Sequence, residues 1–443
     1  MQFSRALRVL SQPRISSIAF VGAGGKTTSM FHLARELQSA SNLPVVVTAT
    51  THLGAWQVPL ADQHLVADNV RDLDHQTIHG LTLVTGPIRS DSRTVGASNE
   101  ILSRLREEAK KLSSILLIEA DGARQKLLKA PDIHEPAIPD FVEMVIVVAS
   151  LAALNKPLTN EFVHRPDIFS KLSSLRIGEA ITGNAIVRVL THEDGGLKNI
   201  PQQAHRAALL TQADTNELQS IGGKMAEKIL HQYDAVVVAS PDFSNIQTFE
   251  PTAGIILAAG GSTRFGQPKQ LLDWRGEPFI RAIAKTAIES RLSPVIVVTG
   301  AYADQIESTI QDLPVQIVRN TEWQNGQASS IRAGVQSLPD RTGAATFLLA
   351  DQPQIKPDVI QALIAHHSTE LFPIVAPLVL MEQRANPVLF DRDTFPDLMA
   401  LEGDVGGRAI FSKHRLEYLP WHDDSLLFDV DKPEDYPRMK ELE

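Results

Sequence analysis

The stretch from Gly254 to Leu272, GIILAAGGSTRFGQPKQLL, places the strongest constraint on how this chain can fold. Its apolar run Ile255–Leu257 predicts a buried parallel strand, and the small residues Ala258–Ser262 that follow leave backbone amides exposed. Such a loop suits a phosphate, because amide dipoles and the cations Arg264 and Lys269 would meet the ligand together. The glycine spacing fits neither the dinucleotide fingerprint GxGxxG nor a Walker loop, and a plain glycine turn is the alternative.

The same run resembles a known family signature. LAAGGSTRFGQPKQLL is similar to the pattern LAAGxSxRxGxxKxLL of the nucleotidyltransferase superfamily with a Rossmann-like fold, specifically of its molybdenum cofactor branch. The resemblance implies that this loop and Arg264 hold the triphosphate of a nucleoside triphosphate (NTP), while Lys269 neutralises charge as the α-phosphate is attacked. The residues that it assigns to the nucleotide are Leu257, Ala258, Ala259, Gly260, Gly261 and Ser262.

The composition narrows the class of protein. A chain of 443 residues is too long for one ordinary domain, and about 150 residues per domain predicts two or three domains. The net charge of -10 and the pI near 5.8, without a basic cluster, argue against a nucleic-acid binder. Cysteine is absent, which excludes disulfides and thiolate metal sites and fits a reducing cytoplasm. The apolar segment Ile18–Val21 is too short for a signal peptide or a membrane span, so we expect a cytoplasmic protein.

A second glycine-rich segment lies near the N-terminus. Ile18–Val21 predicts a strand, and Gly22–Thr28, GAGGKTT, then leads into an amphipathic helix. In such a phosphate-loop arrangement, Lys26 can reach the β- and γ-phosphates and Thr27 can bind magnesium. The position of the first glycine in GxxxxGK[ST] holds Phe20, so a glycine turn that serves only packing is the alternative. The nucleotide-binding candidates here are Gly22, Gly24, Gly25, Lys26, Thr27 and Thr28.

Polar residues follow two further predicted strands of this half. Val45–Thr48 precedes ATTH, whose hydroxyls would lie where doubly wound sheets bind ligands, although turns and helix capping explain each residue alone better. Ile115–Ile118 ends in Glu119 and Asp121, and a spacing of two on an extended strand places both carboxylates on one face. This run resembles a Walker B strand, so Asp121 is the candidate magnesium ligand, with a helix-capping aspartate as the alternative.

Four motifs of this half resemble the YqeC family. VGAGGKTT, TATTHL, EADGARQKLLKAP and HEPAIP match its pattern and cover nearly the whole N-terminal half. The resemblance implies an accessory protein for molybdenum- or selenium-dependent hydroxylases, and it names no particular reaction. His134 and Glu135 lack a third ligand at metal-binding spacing, so we expect an ordinary hydrogen-bonded histidine there.

The remaining segments of this half complete an alternating α/β order, which predicts a mainly parallel sheet. Strands are predicted at Met144–Val148 and Ala235–Ala239, and helices at Pro166–Leu172, Gly178–Leu190, Ala204–Ala213 and Gly222–Gln232. The polar run 214–219 is predicted as a loop, and residues 240–251 lose all periodicity. We therefore expect a P-loop-like α/β domain over 1–245 and, from the resemblance, a Rossmann-like, GT-A-like nucleotidyltransferase domain over 252–443.

The second half supplies acidic candidates at two places. Ala345–Leu349 predicts a buried strand that releases Asp351, where an unpaired acid would be costly unless it capped a helix or bound a cation. The family resemblance implies that this DxP aspartate binds the catalytic magnesium. Phe428–Asp435 supplies a second acid, and Asp429 and Asp431 would share one face of an extended segment. By motif position we expect Asp431 to bind the metal directly and Asp429 to support it from the second coordination shell.

Two further regions are expected to bind the nucleoside and the acceptor. The run NTEWQNGQASSIRAG resembles the family segment near the base and ribose, and its candidates are Gly326, Ser329 and Ser330. A helix start capped by serine is the alternative. Stretches that resemble the acceptor-side loops contain Arg384, Asn386 and Arg408. An arginine fork can grip a phosphomonoester, although surface ion pairs would explain the same arginines.

Together these residues predict transfer of a nucleotidyl group. An acceptor phosphate would attack the α-phosphorus in line and displace pyrophosphate, with Mg²⁺ and cationic side chains neutralising charge. The loop begins AAG and so resembles cytidylyl-transferring members, whereas guanylyl-transferring ones more often read AGG. We therefore expect CTP and molybdenum-molybdopterin to give molybdopterin cytosine dinucleotide for an apo molybdenum hydroxylase, such as a xanthine dehydrogenase-like enzyme. The alternatives are a GTP-using or sugar-phosphate nucleotidyltransferase, and a non-catalytic chaperone that delivers cofactor to a hydroxylase.

Overall fold

The computed structural model describes residues 1–11, 14–262, 265–380, 383–430 and 432–440. The chain forms two compact units, Met1–Phe249 and Glu250–Glu443. Each unit is an α/β fold built on a sheet of its own. Among the described residues, no helix has both the length and the apolar character needed to cross a bilayer.

The first unit alternates strands and helices through most of its length. Its strands are β1 (Ser17–Gly22), β2 (Val45–Ala49), β3 (Gln63–Val66), β4 (Leu81–Thr85), β5 (Ile115–Glu119), β6 (Leu128–Lys129), β7 (Met144–Ser150), β8 (Val163–His164), β9 (His205–Thr211), β10 (Ala235–Ala239) and β11 (Ile246–Phe249). Its α-helices are α1 (Phe3–Ala6), α2 (Lys26–Ser41), α3 (Asn99–Lys111), α4 (Pro166–Ser173), α5 (Gly183–Leu190) and α6 (Asn216–Ile229). Short 3₁₀ helices occupy Ala55–Leu60, Val70–Leu73 and Leu151–Ala153.

The sheet of the first unit has nine strands in the order β11-β10-β9-β7-β1-β5-β2-β4-β3. Every neighbouring pair is parallel except β10 and β11, so the prediction of a mainly parallel sheet is confirmed. All residues of β2, β5 and β7 are buried, as expected for strands covered on both faces. Ile18 and Phe20 pack with α1 and α2, while Ala19 and Val21 pack with α3, α5 and α6. The carboxyl end of β1 therefore lies between the ends of β5 and β7.

The segment 204–213 is mainly a strand, and the predicted helix there is wrong. Its alanines and leucines favour a helix, but β9 lies between β7 and β10, and burial within the sheet overrides that local preference. The next helix begins at Asn216, after Thr215, whose hydroxyl accepts from the amide of Leu218. Most of the run predicted as a loop is therefore helical. Residues 240–251, predicted to lack periodicity, contain β11 at the antiparallel edge of the sheet.

The second unit again alternates strands and helices. Its strands are β12 (Thr252–Ala258), β13 (Asp273–Trp274), β14 (Glu277–Pro278), β15 (Val295–Thr299), β16 (Gln316–Arg319), β17 (Ala344–Leu349), β18 (Ile374–Val379), β19 (Gln383–Arg384), β20 (Val388–Asp391) and β21 (Leu416–Trp421). Its α-helices are α7 (Phe279–Glu289), α8 (Ala303–Ile310), α9 (Gln327–Gln336), α10 (Pro357–Glu370), α11 (Phe395–Met399) and α12 (Asp435–Lys440). Short 3₁₀ helices occupy Lys269–Leu271, Trp323–Asn325, Arg392–Thr394, Gly407–Lys413 and Asp424–Leu427.

The sheet of the second unit runs β16-β15-β12-β17-β20-β18-β19, with β21 paired to β18. Strand β12 is parallel to both of its neighbours, and Leu257 lies opposite Leu349 of β17 while Ala258 lies opposite Thr299 of β15. The carboxyl ends of these three strands therefore meet at one edge. Open α/β sheets bind ligands at such an edge, and here it gathers the loop after β12 and the turn that holds Asp351.

Candidate active site

A cleft of about 800 Å³ opens at this edge of the second sheet. The loop after β12, the loop before α9 and the turn after β17 contribute its walls. The nucleotide-binding and catalytic candidates that line it are Leu257, Ala259, Gly260, Gly261, Ser262, Lys269, Gly326, Ser330 and Asp351. Its volume falls in the range typical of small-molecule sites.

The loop after β12 keeps backbone amides available in the cleft. Gln270, which is 6% exposed, donates through Nε2 to the carbonyls of Ala258 (3.2 Å) and Gly260 (2.9 Å). These bonds hold the loop through its carbonyl groups and do not use its amides. Among the described residues, no group accepts a hydrogen bond from the amides of Gly260 and Gly261. Open space lies where a side chain at Gly260 would be. The loop therefore retains donors for an anionic ligand.

The lysine and the aspartate that the sequence singles out meet in this cleft. Lys269 donates through Nζ to Asp351 Oδ2 at 3.0 Å and to the carbonyl of Val430 at 2.7 Å. The side chains of Lys269 and Asp351 are 15% and 27% exposed. A cation and a carboxylate are thus both accessible to one ligand, next to the free amides of the loop.

A second carboxylate approaches from residues near the C-terminus. Gln352, the neighbour of Asp351 in the chain, donates through Nε2 to Asp429 Oδ1. Mg²⁺ is commonly bound by one or two carboxylates plus substrate phosphates, so the carboxylate of Asp351 in the cleft fits, as one ligand, the metal that the family resemblance implies. Within the described residues, no group of three or more Asp, Glu or His side chains gathers to hold a metal by itself. The other expected residues, Arg264 and Asp431, lie outside the part of the chain that the structure describes.

The loop before α9 forms the wall expected to face the nucleoside. Gly326 has a φ of 94°, and a Cβ there would lie 2.5 Å from the backbone of Gly403, so glycine is required. The buried amide of Asn320 donates to the hydroxyls of Ser329 (2.8 Å) and Ser330 (3.0 Å). Ser329 in turn donates to the carbonyl of Gly326 at 2.8 Å. Ser330 thus lines the cleft, whereas Ser329 holds the loop.

Several residues that line the cleft were not named as individual candidates, although residues 323–327 belong to the run expected near the base and ribose. Trp323 packs its indole against Gly261, 3.2 Å from where a Cβ of that glycine would lie. Asp404 accepts from the amide of Gln327 at the start of α9, at 3.2 Å. The lining residues that were not named individually are Phe265, Gln270, Trp323, Gln324, Asn325, Gln327, Leu349, Ala350 and Asp404. The sequence signal for Trp323 was its position between a predicted strand and a predicted helix, at the edge of the sheet where ligands bind.

The expected acceptor residues lie apart from the cleft lining. Arg384, Asn386 and Arg408 are not among the described residues that line it. Arg384 is exposed in β19, with its guanidinium 5.7 Å from the ring centre of Tyr418. Arg408 is exposed in the 3₁₀ helix that follows the loop of Asp404. Of the described candidates in this unit, the nucleotide candidates line the cleft except for Ala258 and Ser329, and the three acceptor candidates do not line it.

The glycine loop of the first unit joins β1 to α2. A Cβ at Gly22 would lie 2.3 Å from the carbonyl oxygen of Val148, and one at Gly24 would lie 2.5 Å from that of Leu127, so the loop packs tightly. Both glycines also have positive φ, 93° and 83°. No described residue accepts a hydrogen bond from the five consecutive amides of 24–28. The loop thus keeps donors at the start of a helix, as a phosphate site needs.

Lys26 of this loop is enclosed by protein groups. It is 4% exposed, and its Nζ lies 2.7 Å from the carbonyl of Gly22, 3.0 Å from Asp121 Oδ1 and 3.7 Å from Glu119 Oε1. Burial lowers the pKa of Lys26, but the charges of Asp121 and Glu119 outweigh that effect and raise it above its ordinary value. Thr27 donates to Glu119 Oε2 at 2.6 Å. The lysine and the threonine expected to face phosphate and magnesium therefore contact the two acids that end β5.

The charges continue beyond Asp121 as an alternating chain. Lys129 lies 2.9 Å from Asp121 Oδ2 and 2.6 Å from Glu135 Oε2, and Arg165 lies 2.7 Å from the same oxygen of Glu135. Burial raises the pKa of Glu135, but hydrogen bonds from Arg165 and Lys129 lower it to about 2. Both oxygens of Asp121 face ammonium groups, and its expected role as a magnesium ligand stays a prediction.

Comparison with known proteins finds a match for each half of the chain. Residues 18–167 match the family described as YqeC protein, and residues 254–418 match the family described as MobA-like NTP transferase domain. The chain is 33% identical over 208 residues to YqeC of Escherichia coli (strain K12), which covers 44% of this chain and 75% of that protein. It is 33% identical over 201 residues to the purine catabolism protein PucB of Bacillus subtilis (strain 168), covering 42% of this chain and 95% of that one. The "Probable molybdenum cofactor guanylyltransferase" of Bacillus cereus (strain AH187) is 29% identical over 138 residues, covering 31% and 66% respectively.

Proposed function

The chain belongs to the YqeC family through residues 18–167 and to the MobA-like NTP transferase family through residues 254–418, and from this premise we propose the reaction of its second unit. That unit is a nucleotidyltransferase of the MobA-like type, related to molybdenum cofactor nucleotidyltransferases and to PucB. We propose that it transfers the cytidylyl group of CTP to molybdenum-molybdopterin and releases pyrophosphate. The observation that carries this proposal is the meeting of Lys269 and Asp351 in the cleft, beside the free amides of the glycine loop.

The residues of the cleft support an in-line displacement. The amides of 260–261, Lys269 and Arg264 would bind the triphosphate, and the two cations would neutralise the charge that grows on the leaving oxygens. The attacking group is a phosphate oxygen of the acceptor, which is already anionic and needs no general base. Its bond to the α-phosphorus forms as the bond from that phosphorus to the bridging oxygen breaks, and pyrophosphate leaves.

We propose that Asp351 and Asp431 hold Mg²⁺ together with the nucleotide phosphates, with Asp429 beside them. When bound, the ion supplies charge neutralisation for the phosphates. Lys269 contacts Asp351 at 3.0 Å and so orients that carboxylate within the cleft. Gln352 does the same for Asp429 through its hydrogen bond.

We propose CTP as the donor because Ala259 stands where guanylyl-transferring members of the family more often have glycine. Ala259 lines the cleft and is 4% exposed, with its Cβ on the side of Gly300. The opposite wall carries Gly326 and Ser330, which the family resemblance assigns to the base and ribose.

We propose that Arg384, Asn386 and Arg408 bind the phosphate of the pterin. Arg408 follows the loop of Asp404, which contacts the start of α9 and contributes to the cleft lining. An acceptor bound along that loop would therefore adjoin the nucleotide. The dinucleotide product would then pass to an apo molybdenum hydroxylase of the xanthine dehydrogenase type in the cytoplasm.

Pyrophosphate release from a matrix of substrates tests this proposal. The full-length protein with Mg²⁺ is given CTP, GTP, ATP or UTP, each alone, with molybdenum-molybdopterin or with a sugar phosphate. We expect release only with CTP and the pterin, in amounts equal to the dinucleotide formed. The variant Asp351→Asn keeps the shape of the side chain and removes its charge, so it serves as the inactive control.

Other outcomes would replace specific parts of the proposal. Release with GTP and not with CTP would assign guanylyl transfer to this unit. Release with a sugar phosphate and not with the pterin would replace the acceptor. Tight binding of the pterin without release from any pair would favour a delivery chaperone over an enzyme.

For the first unit we propose nucleotide binding at the loop 22–28. The support is the row of amides 24–28 without described acceptors, at the start of α2. Lys26 would reach a phosphate by exchanging its contact with Asp121, and that aspartate would then be free for a cation. Phosphate release measured with Lys26→Ala separates an NTPase in this unit from the transferase, because only the NTPase depends on Lys26.

A further inference from the structure

The acid-bearing segment, residues 425–430, lies against the turn that follows β17. Gln354 in that turn donates through Nε2 to the carbonyl of Phe428 at 2.7 Å and to the carbonyl three residues earlier at 3.1 Å. Gln352 in the same turn donates through Nε2 to the carboxylate of Asp429. Of the two glutamines of the sequence DQPQ, Gln354 thus binds the backbone of the acid-bearing segment and Gln352 binds its acidic side chain.

Both glutamines are buried, with Gln352 1% exposed and Gln354 6% exposed. A buried amide is costly unless it is hydrogen-bonded, so positions that served packing alone would favour apolar side chains. The Oε1 atoms of both residues lack a partner among the described residues. The contacts from Nε2 are therefore the polar interactions that account for glutamine at these two positions.

Apolar packing alone does not explain the placement of the acid. Leu426 and Val430 are buried, at 3% and 0% exposure, and hold the acid-bearing segment in two apolar clusters. Apolar contacts are non-directional, so they keep Leu426 and Val430 buried but do not orient a carboxylate. Residues 428–430 also belong to no strand or helix, so no ladder of backbone bonds sets their register. Directional contacts to Asp429 and to its backbone must come from elsewhere.

We propose that Gln352 and Gln354 are positioning residues of the nucleotidyl transfer. Gln354 fixes the backbone of the acid-bearing segment, and Gln352 holds the carboxylate of Asp429 next to the residue that follows Asp351. Their catalytic meaning rests on the proposed function, whereas the contacts themselves require no substrate. Lys269 donates both to Asp351 and to the carbonyl of the residue after Asp429, so a displaced segment would also disturb the cation of the cleft.

Hydrogen exchange on the full-length protein, without metal or nucleotide, tests the role of Gln354 independently of activity. We expect Gln354→Leu to speed exchange of the amides of 426–430 about tenfold, because two hydrogen bonds to this backbone are lost. Gln316→Leu, at an exposed position of β16, is the matched control and should change nothing. Exchange in β12 and β15 shows whether the variant is folded. Equal exchange of 426–430 in the folded variant and the wild type would overturn the role of Gln354.

A double-mutant cycle tests whether Gln352 acts through Asp429. We expect Gln352→Leu to lower kcat for pyrophosphate release about tenfold, with the KM for CTP nearly unchanged. Gln352→Glu, which has the same shape but no donor when ionised, should reproduce this loss. In the background of Asp429→Asn, Gln352→Leu should cost less than about twofold, because the carboxylate that it orients is gone. Equal losses in both backgrounds would overturn positioning through Asp429.

Binding of Mn²⁺ in the presence of CTP, followed by calorimetry, gives a readout for Gln352 that needs no turnover. We expect Gln352→Leu to weaken Mn²⁺ binding about tenfold, and Gln316→Leu to leave it unchanged. If the proposed function is wrong, the wild-type protein will release no pyrophosphate, and this result is distinct from any change in metal binding. Unchanged metal binding and exchange in an active enzyme would refute the positioning role and leave the proposed function standing.

Discussion

The two glycine loops of this protein follow the same order in sequence but differ in what surrounds their lysines. Each follows a buried strand, keeps amides free among the described residues and leads to a lysine at the start of a helix. Lys26 is 4% exposed and contacts two carboxylates and a carbonyl, beside a cavity of about 30 Å³ lined in part by Gly22 and Asp121. Lys269 is 15% exposed and borders a cleft of about 800 Å³.

This difference shows that a glycine loop followed by a lysine does not by itself determine what the lysine contacts. In the first unit, Asp121 and Glu119 contact the ammonium group of Lys26, so a phosphate would have to displace these carboxylates to reach it. In the second unit, Lys269 contacts Asp351 and also borders an open cleft. We therefore expect changes around Lys26 to affect mainly stability, and changes around Lys269 to affect mainly turnover.

The largest expected effect is that of Asp351→Ala on turnover. We expect pyrophosphate release to fall on the order of 10⁴-fold, about 5 kcal/mol of barrier, because the proposed principal metal ligand is removed. The side chain is 27% exposed, so the second unit should remain folded by circular dichroism. Asp340→Ala, in an exposed turn of the same unit, is the matched control. Near-normal turnover of the Asp351 variant would contradict the assignment of the cleft.

The next largest effect should be that of Lys26→Met on stability. Removing the ammonium leaves Glu119 buried beside the neutral stem, which should destabilise the first unit by about 3–5 kcal/mol. Denaturant unfolding, with hydrogen exchange in β1 and β5, measures this loss, and Lys171→Met on the exposed face of α4 is the control. Pyrophosphate release by the second unit should not change below the unfolding transition. Full stability together with lost nucleotide binding would instead make Lys26 a ligand residue.

Lys269→Met should reverse that pattern. We expect kcat to fall about 10²–10³-fold, as for the loss of one charged group that stabilises a transition state. The free energy of unfolding should change far less than in Lys26→Met, because the lysine is partly exposed at the cleft. Pyrophosphate release and denaturant unfolding of both variants under one set of conditions measure the contrast. Similar stability losses in the two lysine variants would remove the distinction between the loops.

The smallest expected effect is a pH dependence from Glu135. Its pKa is lowered from 4.5 to about 2, since hydrogen bonds from Arg165 and Lys129 outweigh the effect of burial. A carboxyl whose pKa is lower in the folded state stabilises the fold above pH 4.5, and this stability is lost as the pH falls towards 2. Glu135→Gln should therefore flatten the pH dependence of unfolding of the first unit in that window. Glu161→Gln, at an exposed position, should leave the dependence as in the wild type.

Much of the fold could be predicted because apolar runs with glycine at their ends are local signals. Ile255–Leu257 and Ile115–Ile118 lie within β12 and β5, as predicted. The prediction for 204–213 was wrong because alanine and leucine favour a helix in isolation, and β9 becomes a strand only through its place between two other strands. Strands distant in sequence decide that this segment is extended, and no local pattern reveals them.

The candidate site was predictable where its residues directly follow strands. Lys269 and Asp351 could be paired because the parallel strands that precede them end at one edge. The contact of Gln352 with Asp429 joins residues 77 positions apart, and nothing in either local sequence points to the other. The contacts of Lys26 were equally hidden, because no local pattern shows that the lysine of the glycine loop and the acids that end β5 contact one another.

Trp323 offers an optical readout of the cleft. Its indole packs on Gly261 and lines the cavity, so a bound nucleotide would change the polarity around a natural fluorophore. The chain contains four tryptophans, and replacing Trp56, Trp274 and Trp421 with phenylalanine would leave a single emitter at the cleft. Titrating such a protein by its own emission would give the dissociation constant of each candidate donor before any acceptor has been prepared.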